Sequence, residues 1–580
     1  MGQLPKSFLD TKASSPAQLL QLLIDIQAAA LASVGGGPDF DPKYYVDLPL
    51  KFPVQKTAEA FASLPRLQSG KVSPDTLERF LEEYCDIPGS DLVACTPVDY
   101  VPEPSGFLPG VQNPVARRWA LKVHSLWLLL ARQVADHVEN EPNQHTLLPL
   151  KHPVIVPGER FREVYYWDSY WIIRGLLVSK MLDTAKGMVQ NLLTFTRMHG
   201  FMANGARTYY ENRSQPPLLS RMVRAVYSES ADLTLVEQAL PVLFKEHNFW
   251  TTEPHEVVIQ DSQKNKHRLS RYYANWNSPR PESCTIDKAI AKGLSKRQQA
   301  ELYHNIATAA ESGWDFSSRW MEDHQNLITL RTSAIIPVDL NAFLLQMELD
   351  IVFLARVAGD HAAERHYTKA ANARRLAINS ILWNEEMGQW FDYWLPLNNS
   401  EVQSVDMQKV VYDLGSGRLN LESYASNFVP LWCGMLPPGD AKGEKVLRAL
   451  SNSGLLHPGG IATSVRETGE QWDFPNAWAP LQHMIIEGLA TLNSEKANKL
   501  AQDISRRWLK SNYVAFEKTG RMVEKYDVRS SGKIGGGGEY ETQTGFGWTN
   551  GVALALLHDY GWAENQPITS TYNLIPWFPT

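Results

Sequence analysis

The feature that most limits what this chain can fold into is a run of helical segments paired through very short turns. The clearest pairs are 168–181 with 184–199, 339–357 with 361–383, and 476–491 with 494–513. Further helices are predicted at 217–229, 233–250, 296–322, 439–453 and 548–560. Short connections make the members of each pair antiparallel neighbours. Hairpins repeated along most of the chain predict an all-α toroid of paired helices, an (α/α) barrel. An α-solenoid is the rival architecture, but no fixed sequence period of the solenoid kind is present.

The first barrel helix is predicted to start at Asn113, a capping residue, with Pro114 in its first turn. Trp119, Val123, Leu126, Leu130 and Val134 then recur every three or four residues. Strand-like material is scarce, and the best candidate is Gly388 to Trp394, half of a small hairpin. Upstream, Pro-rich turns such as Val101 to Pro104 alternate with short helical patterns. The predicted division is a helical and irregular N-terminal arm over 1–112, a catalytic barrel over 113–565 and a C-terminal tail over 566–580. A length of 580 residues does not by itself require a second core domain.

Five polar and aromatic clusters lead into predicted helices: 160–168, 212–217, 337–341, 471–478 and 545–550. Each stands at the N-terminal end of the first helix of a pair. If these first helices form an inner ring, the clusters meet at one mouth of the barrel. Taken singly, Asp168 and Asn476 could be helix caps, and Trp167, Trp472 and Trp548 core plugs. Five clusters at matching positions favour a shared site.

Charge and motif content narrow its chemistry. A net charge of -7 leaves no excess of Lys and Arg to neutralise phosphates, so a nucleic-acid partner is not expected. The 18 Trp and 22 Tyr suit pyranose faces, although a Trp-rich core would give the same count. Cys85, Cys95, Cys284 and Cys433 show no metal-ligand spacing. Cys85 and Cys95 are candidates for a disulfide or for free thiols. No HExxH, P-loop or G-x-S-x-G sequence occurs, and the glycine run Gly535 to Gly538 has no following Lys.

Met1 to Ala13 lacks the apolar region of a cleavable signal, and Leu19 to Val34 is amphipathic around Asp25. No run of eighteen apolar residues is present, so no membrane span is expected. Asn212 and Asn398 head N-x-Ser triplets, which arise often by chance.

Aromatic faces beside Arg, amide and carboxyl groups describe a carbohydrate pocket. Cleaving a glycosidic bond takes one protonated and one ionised carboxyl. Eight candidates lie in or near the clusters: Glu163, Asp168, Glu282, Asp315, Asp339, Asp473, Glu524 and Glu539. General chemistry does not choose among them.

Two stretches, Pro157 to Tyr170 and Gln471 to Pro480, resemble the signatures of the trehalases of glycoside hydrolase family 37. Further matches are Asn204-Gly205, Arg213 to Pro217, Arg280 to Ser283, Glu311 to Trp320, Glu524 to Asp527 and Gly535 to Trp548, in the family's order. The chain departs from the usual pattern at Glu159, where a second Gly is common, and at Ala477, where Gly is frequent.

The resemblance implies an (α/α)6 barrel, no cofactor or metal, and inverting hydrolysis of α,α-trehalose. Asp315 would be the general acid and Glu524 the general base. Sugar contacts would fall at Phe161, Tyr165, Trp167, Asp168, Asn204, Gln215, Gly313, Trp478 and Glu539. Arg160, Arg213 and Arg280 would surround the centre, with Glu282 beside the sugar hydroxyls. Glu163 and Asp473 would be supporting groups.

On this basis the arginines are expected to hold the base ionised, and an apolar setting near Trp314 to raise the acid's pKa. The glycine run before Glu539 is expected to act as a mobile lid. The full-length form is expected at the cell surface or exterior, with a targeting segment upstream. Two rivals are another (α/α) glycosidase of the glucoamylase type and a catalytically inactive sugar-binding protein.

Overall fold

The computed structural model describes residues 15–35, 40–396 and 410–569. The arm carries α1 (Ser15–Val34), α2 (Pro42–Val46), α3 (Val54–Ala62) and α4 (Pro74–Tyr84). The barrel helices are α5 (Pro114–Ser125), α6 (Asp168–Val178), α7 (Leu182–His199), α8 (Leu219–Ser230), α9 (Leu233–Trp250), α10 (Lys296–Glu311), α11 (Val338–Ala358) and α12 (His361–Ile381). They continue with α13 (Val429–Trp432), α14 (Ala441–Asn452), α15 (Ala479–Thr491), α16 (Glu495–Thr519) and α17 (Gly547–Tyr560).

The fold is the expected helical toroid. Helices α6, α8, α11, α13, α15 and α17 pack in that order, and α17 closes on α6 to complete the inner ring. Helix α11 is buried continuously from Val338 to Glu348, and α17 from Gly547 to Leu557, as helices surrounded by protein must be. Outside them, α7 packs on α6 and α8, α9 on α8 and α11, α12 on α11, and α16 on α15 and α17. The ring closes tightly: a Cβ on Gly551 would lie 2.0 Å from the Trp171 carbonyl oxygen, so only glycine fits there.

Several predicted helices differ in extent, three of them near the site or the start of the barrel. Asn113 caps α5 as expected, accepting from the Val115 and Ala116 amides. The helix ends at Ser125, however, and Ala131–Val134 forms a strand between Leu92–Ala94 and Val154–Ile155. Helix α10 stops at Glu311 rather than at 322, because Gly313 turns the chain at φ +74°. Helix α15 starts at Ala479, since Asn476–Trp478 pairs as a strand with Lys525–Asp527. The small hairpin is present, with Gln389–Trp390 paired to Trp383–Asn384.

The arm shares a sheet with the barrel chain and locks onto it through buried charge. Lys43 Nζ donates to Asp47 at 2.5 Å and to Glu163 at 3.0 Å, while Arg207 Nε donates to Glu163 at 2.6 Å. Pro16–Val34 is long and apolar enough to cross a membrane by length and composition. Here it buries Leu19, Leu23, Ile26 and Ala30, packing on α2, α3, α4 and the helix Cys284–Ile290. Cys85 and Cys95 are both free thiols. Asn212 is buried, whereas Asn398 and residues 570–580 of the proposed tail lie outside the described residues.

Candidate active site

The N-terminal ends of the inner helices and the loops leading into them line a cavity. Four of the five clusters reach it. The exception is 337–341: Asp339 turns to Arg319 at 2.8 Å, and Asn341 bonds to the backbone of Ser270.

Four indoles, Trp167, Trp472, Trp478 and Trp548, line the cavity, and Trp314 packs on them. Trp472 stacks on Trp478 at 4.1 Å between ring centroids and on Trp314 at 5.3 Å. Trp167 and Trp548 meet this stack at steeper angles. Such a surface offers the flat apolar faces that sugar rings stack on. The strand pair Asn476–Trp478 and Lys525–Asp527 sets Trp478 opposite Lys525, which brings Glu524 beside the aromatic stack.

All fifteen residues singled out from the sequence line this one cavity: Arg160, Phe161, Tyr165, Trp167, Asp168, Asn204, Arg213, Gln215, Arg280, Glu282, Gly313, Asp315, Trp478, Glu524 and Glu539. The remaining lining includes Tyr210, Ser283, Ala310, Gln471 and Tyr540, which were not singled out. Tyr540 was legible as the neighbour of Glu539, but its partner was not. Of the two departures from the usual motif, Glu159 is exposed and Ala477 is buried in its strand.

Asp315 sits on the loop after α10. The Gln471 amide donates to its backbone carbonyl at 2.6 Å, and the Trp472 N–H to that of Phe316 at 3.0 Å. Asp473 holds the same loop by accepting from Ser317, from the Ser318 amide and from Thr468. A Cβ on Gly313 would meet the Trp167 ring at 2.8 Å, so the turn before Asp315 requires glycine. About a third of the Asp315 side chain (34%) stays open to the cavity. The surrounding protein nevertheless dominates its titration: burial pushes the carboxyl up to about 7, opposed by Arg280 and reinforced by Glu539.

Glu524 is held on both oxygens. The Tyr540 hydroxyl donates to Oε1 at 2.8 Å, and the Gln543 N–H to Oε2 at 3.3 Å. Its pKa nevertheless stands above the ordinary glutamate value. Burial outweighs the opposing effects of Lys525, Tyr540, the Gln543 amide and Arg160. Arg160 acts in the direction expected of the arginines, favouring the ionised form, but less strongly than Lys525, Tyr540 and the Gln543 amide. Asp168 is pushed well up, by burial and then by the nearby Glu524 and Asp315 charges.

Arg280 is the hub of the cations. It donates to Asp287 at 2.7 Å and to Glu539 at 2.7 Å, and its Nη1 lies 3.9 Å from Asp315. Arg213 pairs with Glu282 at 2.5 Å. Burial would raise Glu282, but Arg213 and Arg280 outweigh it and hold it below the usual range. The glycine run lies against 469–476: the Asn476 amide donates to the Gly536 carbonyl at 2.8 Å and Lys525 to that of Gly537 at 3.2 Å. His483, Glu487 and Asp559 lie close enough to share a metal ion. They stand further along the inner helices, with the Arg174 guanidinium 3.1 Å from Glu487 and 3.9 Å from Asp559.

A closed helical toroid whose cavity combines stacked indoles, arginines and buried carboxyls defines an (α/α)-barrel glycoside hydrolase. Residues 38–561 match the Trehalase family, and the chain belongs to that family. A probable trehalase of Oryza sativa subsp. japonica is 51% identical over 95% of this chain and 97% of its own. The trehalase of Homo sapiens is 39% identical over 93% of this chain and 88% of its own. Among solved structures, neutral trehalase Nth1 from Saccharomyces cerevisiae superposes with a TM-score of 0.54 at 25% identity, covering 70% of this chain and 73% of that one.

Proposed function

We propose that the chain hydrolyses α,α-trehalose to two glucose molecules by a single inverting displacement, with Asp315 as general acid and Glu524 as general base. The observation that carries this reading is the pair of carboxyls in one indole-lined cavity, with Asp315 pushed up to about 7. A carboxyl titrating there keeps a proton for the departing glycosidic oxygen near neutrality. Glu524, whose oxygens both accept hydrogen bonds, is set to take a proton from the attacking water. The attack forms the new C–O bond on the face opposite the departing oxygen, so configuration at that carbon inverts.

The indoles and Phe161 offer stacking faces for the two glucose rings, and Arg213, Arg280, Glu282 and Gln215 offer partners for their hydroxyls. Family membership supports trehalose over maltose as substrate.

Asp315→Asn and Glu524→Gln should each lower turnover by roughly 10²–10⁴-fold while trehalose binding, followed by isothermal titration, persists. Retention of more than a few per cent of the rate in either variant, or binding without glucose release by the unaltered chain, would overturn the assignment.

A further inference from the structure

Glu524 is linked to the N-terminal arm by three consecutive contacts. The Asp41 carboxylate accepts from Arg160 Nε at 3.0 Å and Nη2 at 2.8 Å, a two-pronged grip. The Arg160 guanidinium lies 4.4 Å from the centroid of the Tyr540 ring. The Tyr540 hydroxyl reaches Glu524 Oε1 at 2.8 Å. Asp41 is itself fixed, because its side chain also caps α2 by accepting from the Lys43 amide at 3.0 Å.

We propose that Asp41, Arg160 and Tyr540 form a positioning relay through which the N-terminal arm orients Glu524 and keeps it ionised for general-base work. The proposal rests on the assignment of Glu524 as base. A carboxylate acting on water must be charged and must hold one lone pair on target. A phenol donating to its other oxygen serves both needs, since only the ionised form gains a charge-assisted bond there. A cation over the phenol ring draws electron density from it and strengthens the O–H as a donor. The two-pronged Asp41 grip fixes the plane of the guanidinium, which a single hydrogen bond would leave free to rotate.

Tyr540 stays a donor throughout the working range, because burial and then the Glu524 charge hold its hydroxyl far above neutrality. The other charged or titratable groups acting with Glu524 are Lys525, Arg160 and Asp168, with Asp315 lining the same cavity. The Gln543 amide is the second donor to its carboxylate. Lys525 is engaged elsewhere, donating to Gln471 at 2.7 Å and to the Gly537 carbonyl.

The test is the pH profile of kcat/KM for trehalose in the full chain, for Tyr540→Phe, Asp41→Asn and Glu524→Gln, with thermal unfolding of each. Asn is as good a helix cap as Asp, so Asp41→Asn removes charge without uncapping α2. Losing a hydrogen bond to a charged group should move the acid limb of Tyr540→Phe upward by roughly one pH unit. Asp41→Asn should move it the same way by less, and both should unfold near the native temperature. A folded Tyr540→Phe with an unmoved acid limb, beside an inactive Glu524→Gln, would overturn the relay and leave the base assignment standing. An active Glu524→Gln would overturn both. If Tyr540→Phe does not fold, Asp41→Asn decides alone, and an unmoved limb there overturns the proposal.

Discussion

Asp315 is pushed towards its protonated form because its cation is shared. Arg280 also pairs with Asp287 and Glu539 at 2.7 Å each, and stands 3.9 Å from Asp315. Burial therefore prevails and sets the carboxyl at about 7. The proposed chemistry needs Asp315 protonated and Glu524 ionised, so the sign of each limb follows. The kcat/KM profile should fall above about pH 7 as Asp315 loses its proton, and fall on the acid side from above the usual glutamate value as Glu524 gains one. Initial rates across pH 4–9 (an illustrative range of roughly five units around neutrality) check this, and activity that keeps rising into alkaline solution would contradict it. At this scale the family motifs made the cavity residues legible, whereas chemistry alone left eight carboxyls open. Three of the eight turn elsewhere: Glu163 to Lys43 and Arg207, Asp339 to Arg319, and Asp473 to Ser317, Ser318 and Thr468. Most of those partners come from distant parts of the chain, so no local spacing reveals them. The bond from Tyr540 to Glu524 was hidden for the same reason.

At the scale of elements, the ends of helices decide where the reacting groups stand. The apolar pattern around Trp314 and Trp320 reads as a continuation of α10, yet the helix stops at Glu311 and leaves Asp315 on a loop. The stop depends on Gly313 and on its contact with Trp167, a neighbour far away in sequence. Asn476–Trp478 likewise read as the start of a helix because its strand partner Lys525–Asp527 is remote. The helix pairs themselves were legible, since a short turn forces neighbours together whatever the rest of the chain does. The glycine run was expected to be a lid; its position against 469–476 gives a stricter reason for glycine. Gly537 and Gly538 have φ of +79° and +85°, and a Cβ on Gly537 would lie 2.3 Å from the Gly469 carbonyl oxygen. Replacing Gly537 and Gly538 by Ala should lower kcat/KM by roughly tenfold or more, the consequence of ~1.4 kcal/mol of misplacement. Unchanged steady-state kinetics would mean that the run is a passive connector.

The whole molecule is a closed ring with an arm fastened across it. Ring closure joins α6 to α17, and the arm joins through Lys43, Asp47, Glu163 and Arg207 and through the Asp41 grip on Arg160. The toroid was legible from the hairpins, but the arm's contact with the cavity residue Arg160 was not, because Pro-rich turns and short helices carry no signal of what they dock against. Closure matters to the chemistry. Trehalose joins two anomeric carbons through one oxygen, so in the proposed mechanism both rings are enclosed while one water reaches a single carbon from the face opposite Asp315. An inverting enzyme needs roughly 6.5–9.5 Å between its carboxyls to admit that water, and a retaining one only ~5–5.5 Å. The stereochemistry of the products reports this arrangement directly. Proton NMR in the first minutes of trehalose hydrolysis should show one glucose released as the β anomer and the other as the α anomer, in equal amounts before mutarotation. Release of α-glucose alone would contradict the inverting displacement and the role of Glu524 with it.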